Sequence, residues 1–279
     1  MPEGRLIVCA TPIGNLGDVS PRLADALGGA DHIYAEDTRR AATLLDHLGV
    51  DARTRSLFAG NEAARTEELS GHLARGETVA LITDAGTPTI SDPGAAAVAE
   101  ARKIGAVVTV IPGASALTAA LAVSGMDATR FVFEGFLERK GRQRAKQLES
   151  IGEEERTIVV FLSPHRLLRD LSDLRMVTGG DRELMVAREL TKLYEEIWWG
   201  TIDSAIEKWT KTEPRGEFTA VIAGAEPRPL EIGDTVALAR MMINEGMTLS
   251  EAARAAAAET GVKRGLIYEA LLSDGDSKT

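Results

Sequence analysis

The sequence predicts an α/β protein with largely parallel strands, on three observations. Short apolar runs rich in β-branched residues recur along the chain, each followed by a turn signal and then a helical pattern. Several helical patterns open on a side-chain oxygen followed by proline, as at Ser20-Pro21, Asp92-Pro93 and Ser163-Pro164, which is the chemistry of a helix start. Aromatic residues are only 4% of the 279-residue chain against 44% hydrophobic residues overall, so the core must be aliphatic.

The runs expected as strands are Leu6–Ala10, His32–Ala35, Val79–Thr83, Val107–Ile111, Phe131–Glu134, Thr157–Leu162, Leu184–Ala187 and Phe218–Ala223. Pro112-Gly113 closes the fourth run and marks an expected domain junction. A second break is expected near Glu226-Pro227-Arg228-Pro229, after which no strand pattern returns. Beyond it the pattern predicts helices at about 234–245, 249–259 and 262–272. The expected division is therefore 1–112, 113–226 and 227–279. No internal repeat or low-complexity tract interrupts it.

Thirty-two basic against 42 acidic side chains give a formal charge of -10, which argues against a general polyanion binder. A local basic patch could still meet a nucleic acid. The single Cys9 rules out an internal disulfide and a thiolate zinc cluster. The four histidines show no H-x-x-x-H spacing, so no metal site is expected. The apolar run near the start is too short for a signal peptide, and no apolar stretch approaches 18 residues. The chain reads as soluble and cytoplasmic, without a membrane span.

Ligands in α/β sheets usually sit beyond the carboxyl ends of the strands, so those loops are where chemistry is sought. Thr11-Pro12-Ile13-Gly14-Asn15 lacks both the G-x-G-x-x-G pattern and the Gly-Lys-Ser/Thr end of a phosphate loop, leaving little support for a dinucleotide or ATP site. The loop from Asp84 to Gly94 carries two carboxylates, hydroxyls and glycines. Asp84 there reads equally as an Asx-turn or as a ligand to a cation or ribose. Asp92 reads as a helix cap. Glu36-Asp37-Thr38-Arg39-Arg40 opens a helix directly after a strand, where acids complement the macrodipole and a cleft would also open. Glu138 to Lys146 holds five bases against one acid, either a solvated face or a phosphate contact, with Gly141 suggesting a mobile loop.

The last two helices resemble a helix-turn-helix. Leu249, Ala252, Ala253 and Ala256 form one apolar face, Gly261 the turn, and Val262, Leu266 and Ala270 the next face. Thr248 and Glu251 have capping-box spacing. Lys263 and Arg264 begin the second helix, where such motifs meet nucleic acid. Residues 234–279 hold seven acids and five bases, so a plain packing bundle is an equal reading.

Taken together and in order, these blocks closely resemble the tetrapyrrole-methylase-like (class III) S-adenosylmethionine methyltransferases. Within them they resemble the subfamily that methylates a cytidine 2′-hydroxyl in the decoding region of 16S rRNA. The matching blocks are Thr11–Asn15, Glu36–Arg39, Asp84–Gly94, Pro112–Ala116, Glu134–Phe136, Ser163–Arg166, Arg188–Lys192 and Gly216–Phe218, with the helical tail around Gly261–Arg264. The resemblance runs from about residue 5 to 272. It implies two α/β domains, the second mixed, S-adenosylmethionine in the cleft between them, and a homodimer. Carried onto this chain, it implies cofactor contacts at Pro12, Ile13, Asp84, Ala85, Gly86, Ser115, Ala116, Leu162, Leu190 and Phe218. A sulfonium ligand without a phosphate needs acids and backbone groups rather than a phosphate cradle, which suits these loops.

Two departures stand out. Relatives show Phe-Tyr-Glu-Ser-Pro-His-Arg where this chain reads Phe161-Leu162-Ser163-Pro164-His165-Arg166, and His-x-His-Asn-Glu where it reads Phe58-Ala59-Gly60-Asn61-Glu62. Acid–base roles of those missing side chains cannot apply here. A ribose hydroxyl is a poor nucleophile, so a base is expected, with Asp37, Glu62 and Glu189 as candidates. Arg39 and Arg188 could hold substrate phosphates or serve as salt-bridge partners, with Arg142, Arg144, Lys263 and Arg264 at the periphery. The 16S rRNA in a 30S subunit is the expected partner. A same-fold methyltransferase acting on a small macrocycle and a non-catalytic rRNA-binding assembly protein are the alternatives. A nicotinamide-dependent oxidoreductase is more distant, lacking its fingerprint.

Overall fold

The computed structural model describes residues 3–226 and 232–273. Contacts divide the chain into two compact units, Met1–Ala225 and Glu226–Thr279. Of the expected break after Glu226, Pro227 to Pro229 lie outside the described residues.

The first five strands are β1 (Arg5–Cys9), β2 (His32–Ala35), β3 (Thr54–Ser56), β4 (Thr78–Ile82) and β5 (Val107–Ile111). They pair in the order β3-β2-β4-β1-β5, and every pairing is parallel. Side chains alternate across this sheet as its period of two requires. Ile7, Cys9, Ile33, Ala35, Ala80 and Ile82 face a core with α1 (Pro21–Gly28) and α2 (Thr38–Leu48). Leu6, Tyr34, Val79 and Leu81 face the opposite core with α3 (Glu62–Ala74) and α4 (Ala95–Lys103). A sheet covered on both faces is what near-continuous apolar strands need.

The other five strands are β6 (Phe131–Phe136), β7 (Thr157–Leu162), β8 (Glu183–Arg188), β9 (Glu196–Thr201) and β10 (Phe218–Ile222), in the order β6-β7-β10-β8-β9. Only β6 and β7 run parallel; the remaining pairs are antiparallel. The expectation of largely parallel strands therefore fails here. The link from β8 to β9 holds no helix, and so short a connection joins only antiparallel neighbours. Helices α6 (Gly141–Glu153), α7 (Leu167–Thr178) and α8 (Ile202–Lys211) cover one face, and α5 (Ala116–Ser124) packs on the other through Ala120 and Leu121.

Three local expectations are corrected. Ser163-Pro164 opens a 3-10 turn, Pro164–Arg166, and α7 starts only at Leu167. The basic stretch around Gly141 is helix from that glycine onward, not a mobile loop. Arg144 is not a peripheral RNA contact: it is 5% exposed on the inner face of α6. Its Nη2 donates to Asp170 Oδ1 at 2.8 Å and Asp173 Oδ2 at 2.5 Å, and its Nη1 to the Glu138 carbonyl at 2.6 Å.

The second unit contains α9 (Ile232–Asn244), α10 (Leu249–Thr260) and α11 (Arg264–Ser273). Thr248 and Glu251 form the capping box, and Gly261 ends α10 in the left-handed region at φ +73°. Ala252, Ala253 and Ala256 are buried against Val236, Ala239, Ile267 and Leu271. Of the face expected for the last helix, Val262 and Ala270 pack against this core, whereas Leu266 is 47% exposed and Ile267 is buried in its place. Among the described residues no helix is long and apolar enough to cross a membrane.

Candidate functional site

In the first sheet β1 lies between β4 and β5, so the loops after β1 and β4 emerge side by side at the carboxyl ends. This is where the strand order reverses and a crevice opens. A short antiparallel bridge joins the two loops: Thr11 N donates to Gly86 O at 2.9 Å, and Gly86 N to Thr11 O at 3.1 Å. Gly86 sits at φ +81°, a backbone region that L side chains rarely enter.

A cavity of about 370 Å³ opens over this bridge, within the volume range of small-molecule sites. Its first wall holds Ile13, Glu36, Arg40 and the segments Asp84–Thr87 and Ile90–Asp92. The opposing wall comes from the second sheet and is largely apolar, with Phe136, Phe161, Leu162, Pro164, Ala187, Leu190 and Phe218 beside Ser163, Glu217 and Thr219. Ser115 and Ala116, at the start of α5, complete it. Nine of the ten residues carried over as cofactor contacts line this one cavity. Pro12 is the exception, and borders an adjoining recess of about 260 Å³ with Lys192 and Glu217.

Backbone strain flanks the cavity. Thr89 and Ser91, on either side of Ile90, have φ +76° and +65°, and Glu189 and Thr191, on either side of Leu190, have φ +51° and +66°. Each costs on the order of 1 kcal/mol in a residue with a Cβ, strain of the kind that clusters at ligand clamps.

Three carboxylates converge at the polar end. Asp84 Oδ1 accepts the backbone N–H of Asp37 at 2.9 Å, tying the loop after β4 to the start of α2, and its Oδ2 lies 3.5 Å from Arg40. Burial, reinforced by Asp84, pushes the Glu36 carboxyl above its ordinary range. Burial, reinforced by Glu36, pushes the Asp92 carboxyl up to about 6. Asp92 is not the helix cap expected of it. Helix α4 begins three residues later, after Gly94, and Glu62 accepts the N–H groups of Gly94 and Ala96 at its start.

The three carboxylates expected as base candidates are engaged elsewhere, and none lines the cavity. Asp37 caps α2, accepting Arg39 N at 2.8 Å, and the Arg39 side chain holds its carboxyl far below the usual range. Glu62 Oε1 accepts Gly94 N at 2.9 Å and Ala96 N at 3.4 Å. Glu189 accepts Lys192 Nζ at 2.9 Å and Glu217 N at 2.8 Å; burial raises its carboxyl, but those bonds outweigh it and lower it overall. Glu62→Ala is accordingly expected to lower stability by about 1 kcal/mol through the lost cap, with turnover unchanged. Thermal melting and initial rates check it.

Among the expected RNA contacts, Arg39 is 89% exposed although paired with Asp37, and Arg142, Lys263 and Arg264 are exposed. Arg264 donates to Ser250 Oγ at 3.0 Å. Arg188 is largely covered, donating to the Arg215 carbonyl at 2.7 Å beside Glu196 at 3.5 Å, which favours the salt-bridge reading. Asn61 caps its own loop, accepting Phe58 N at 2.8 Å. Sequence reasoning missed Glu36, Arg40, Asp92, Phe136 and Phe161 as cavity residues. For Asp92 the signal was present: Gly94 after Pro93 delays the helix, freeing the carboxylate for the loop.

The comparisons agree with this geometry. The sequence profile of the Tetrapyrrole (Corrin/Porphyrin) Methylases matches residues 5–206. The chain is 46% identical over 272 residues, 95% of its length and 96% of the relative's, to "Ribosomal RNA small subunit methyltransferase I" of Synechocystis sp.. It is 42% identical over 275 residues, 98% of its length and 96% of the relative's, to the protein of that name from Mycobacterium tuberculosis. Among solved structures, a diphthine synthase superposes with a TM-score of 0.63 at 17% identity, over 78% of this chain and 89% of that one, a likeness of fold. A profile match over residues 5–206 and near-full-length identity of this order lead to one conclusion: the chain belongs to the tetrapyrrole (corrin/porphyrin) methylase family.

Proposed function

We propose that this protein is an S-adenosylmethionine-dependent rRNA methyltransferase that methylates a cytidine 2′-hydroxyl in the decoding region of 16S rRNA on the 30S subunit. The observation that carries the reading is the polarity of the cavity, with three carboxylates, Glu36, Asp84 and Asp92, at one end and a largely aromatic–aliphatic wall at the other. That donor set fits the cofactor. Carboxylates that raise one another's proton affinity are relieved by a cation, and an apolar wall accommodates a nucleobase. Near-full-length identity to proteins named as small-subunit rRNA methyltransferases supports the substrate class. The reading carries with it a cytoplasmic homodimer.

When bound, S-adenosylmethionine supplies a methyl group on a positively charged sulfur, open to in-line attack. Pro12, Ile13, Asp84, Ala85, Gly86, Ser115 and Ala116 would hold it from the first wall, and Leu162, Leu190 and Phe218 from the second. Asp84, fixed by Asp37 N, presents a carboxylate whose position is set before any ligand arrives. Asp92 is the proton acceptor for the ribose hydroxyl: it lines the cavity, and its carboxyl near 6 suits a base at neutral pH. Arg40 on the wall and exposed Arg39 beside it offer positive charge to the RNA backbone.

The test supplies S-adenosylmethionine with a labelled methyl group to the purified protein, with naked 16S rRNA and with 30S subunits from cells lacking the enzyme. Label on a decoding-region cytidine ribose is expected, preferentially on the subunit. Cofactor binding without label on either substrate would overturn the rRNA assignment and favour a small macrocycle. Absence of cofactor binding would favour a non-catalytic assembly protein.

A further inference from the structure

The amino ends of the first sheet, opposite the cavity, carry a second cluster that methyl transfer does not use. His32 opens β2, Glu77 directly precedes β4, and His72 lies in the last turn of α3. His32 Nε2 and His72 Nδ1 lie 2.9 and 2.6 Å from the same atom, Glu77 Oε2. All three donor atoms are within 4.8 Å of one another, and the two imidazole centroids are 3.5 Å apart.

Protons alone do not satisfy this cluster. Arg75 Nη2 lies 2.6 Å from His72 Nδ1 and 3.1 Å from Glu77 Oε2. A guanidinium only donates, so its contact with Nδ1 calls for a lone pair on that nitrogen. The contact between Nδ1 and the Glu77 carboxylate calls for a proton on the same nitrogen. One nitrogen cannot meet both demands. A cation that displaces Arg75 and takes a lone pair from each of the three donors removes the conflict.

We propose that His32 Nε2, His72 Nδ1 and Glu77 Oε2 form a site for a divalent transition metal. Two imidazoles and a carboxylate are a ligand set that suits zinc, with water in the fourth position. Bonds of 2.0–2.2 Å in a tetrahedral site separate donors by about 3.3 Å, so binding must widen the 2.9 and 2.6 Å separations from Glu77 Oε2 and spread the two imidazoles, whose centroids stand 3.5 Å apart. Behind His72, Glu68 Oε1 lies 3.9 Å from Nε2, the side from which a carboxylate orients a metal-bound imidazole. The Arg75 side chain, 57% exposed, is the cation now resting on these donors, with its Nε also donating to Glu77 Oε1 at 2.8 Å, so a metal must displace it. A metal here would join β2, β4 and α3 through one atom, a stabilising rather than a catalytic role.

The test is calorimetric titration of the metal-stripped full chain with Zn²⁺, beside His72→Ala, Glu77→Gln and, as control, His47→Ala at an exposed position in α2. One equivalent is expected to bind the parent chain and the control, and to bind both site variants at least about tenfold more weakly. Zn²⁺ should raise the melting temperature of the parent but of neither site variant. Circular dichroism checks folding, and Glu77→Gln, which preserves side-chain shape, carries the test if His72→Ala does not fold. Lack of stoichiometric binding, or equal binding by Glu77→Gln, overturns the proposal.

Discussion

Asp92→Asn is expected to lower kcat by about 10²- to 10⁴-fold, the usual contribution of a positioned general base. Asparagine keeps the shape and loses the proton-accepting charge, so the loss should fall on kcat more than on KM. The parent rate should rise with pH, because the base works only when ionised. With the Asp92 carboxyl at about 6, the rise should be half complete near that pH and flat above neutrality. Glu36→Gln removes a charge that helps raise that carboxyl, so it should move the rise to lower pH. Rate profiles of the three proteins, with labelled methyl transfer as readout, check all of this. An Asp92→Asn enzyme with parental kcat would remove Asp92 from the mechanism.

The second large effect concerns Arg144. Arg144→Ala is expected to destabilise the first unit by about 3–5 kcal/mol, because removing one partner of a buried ion pair leaves the other charge uncompensated. Asp170 is 0% exposed, and its Oδ2 has no hydrogen-bond partner, so it has nowhere to turn. At about 2–4 °C per kcal/mol for a unit of this size, melting should fall by roughly 6–20 °C. The double replacement Arg144→Met with Asp170→Leu should recover most of the loss, since apolar residues of similar volume replace such pairs at little cost. Differential scanning calorimetry of the three proteins decides it. Arg142→Ala, two residues away but exposed, should leave melting unchanged.

What could be read from the residues, and what could not, follows from the range of each interaction. The eight strands recognised along the chain are apolar runs, the edge strands β5 and β6 among them. The two overlooked, β3 and β9, are edge strands: Thr54-Arg55-Ser56 has no apolar residue, and none of β9 is fully buried. The loops at 11–15 and 84–94 were legible as a site through the resemblance of the blocks taken together and in order; by composition alone Asp84 reads equally as a turn former. Which carboxylate was free was not legible. Asp37, Glu62 and Glu189 are as acidic on paper as Asp92, and only tertiary hydrogen bonds distinguish them. Arg144 sits among exposed bases in sequence, and its burial is decided by Asp170 on another helix. His32 and His72 are too far apart for any spacing rule to connect them, and the fold of the first sheet brings them together.

The two sheets draw their strands from successive stretches, 5–111 and 131–222, while the cavity takes a wall from each. A nascent chain therefore completes the first sheet well before the second wall exists. Phe218 leaves the synthetic machinery about a hundred residues after Ile111, a lag of roughly 5 to 20 s at ordinary elongation rates. Throughout that interval Glu36, Asp84 and Asp92 face water rather than a closed cavity. The donor molecule can then contribute nothing to the early stages of folding. The first half must mature on its own aliphatic core, and a product truncated before β7 would be folded in part yet unable to compete with the finished enzyme for its cofactor.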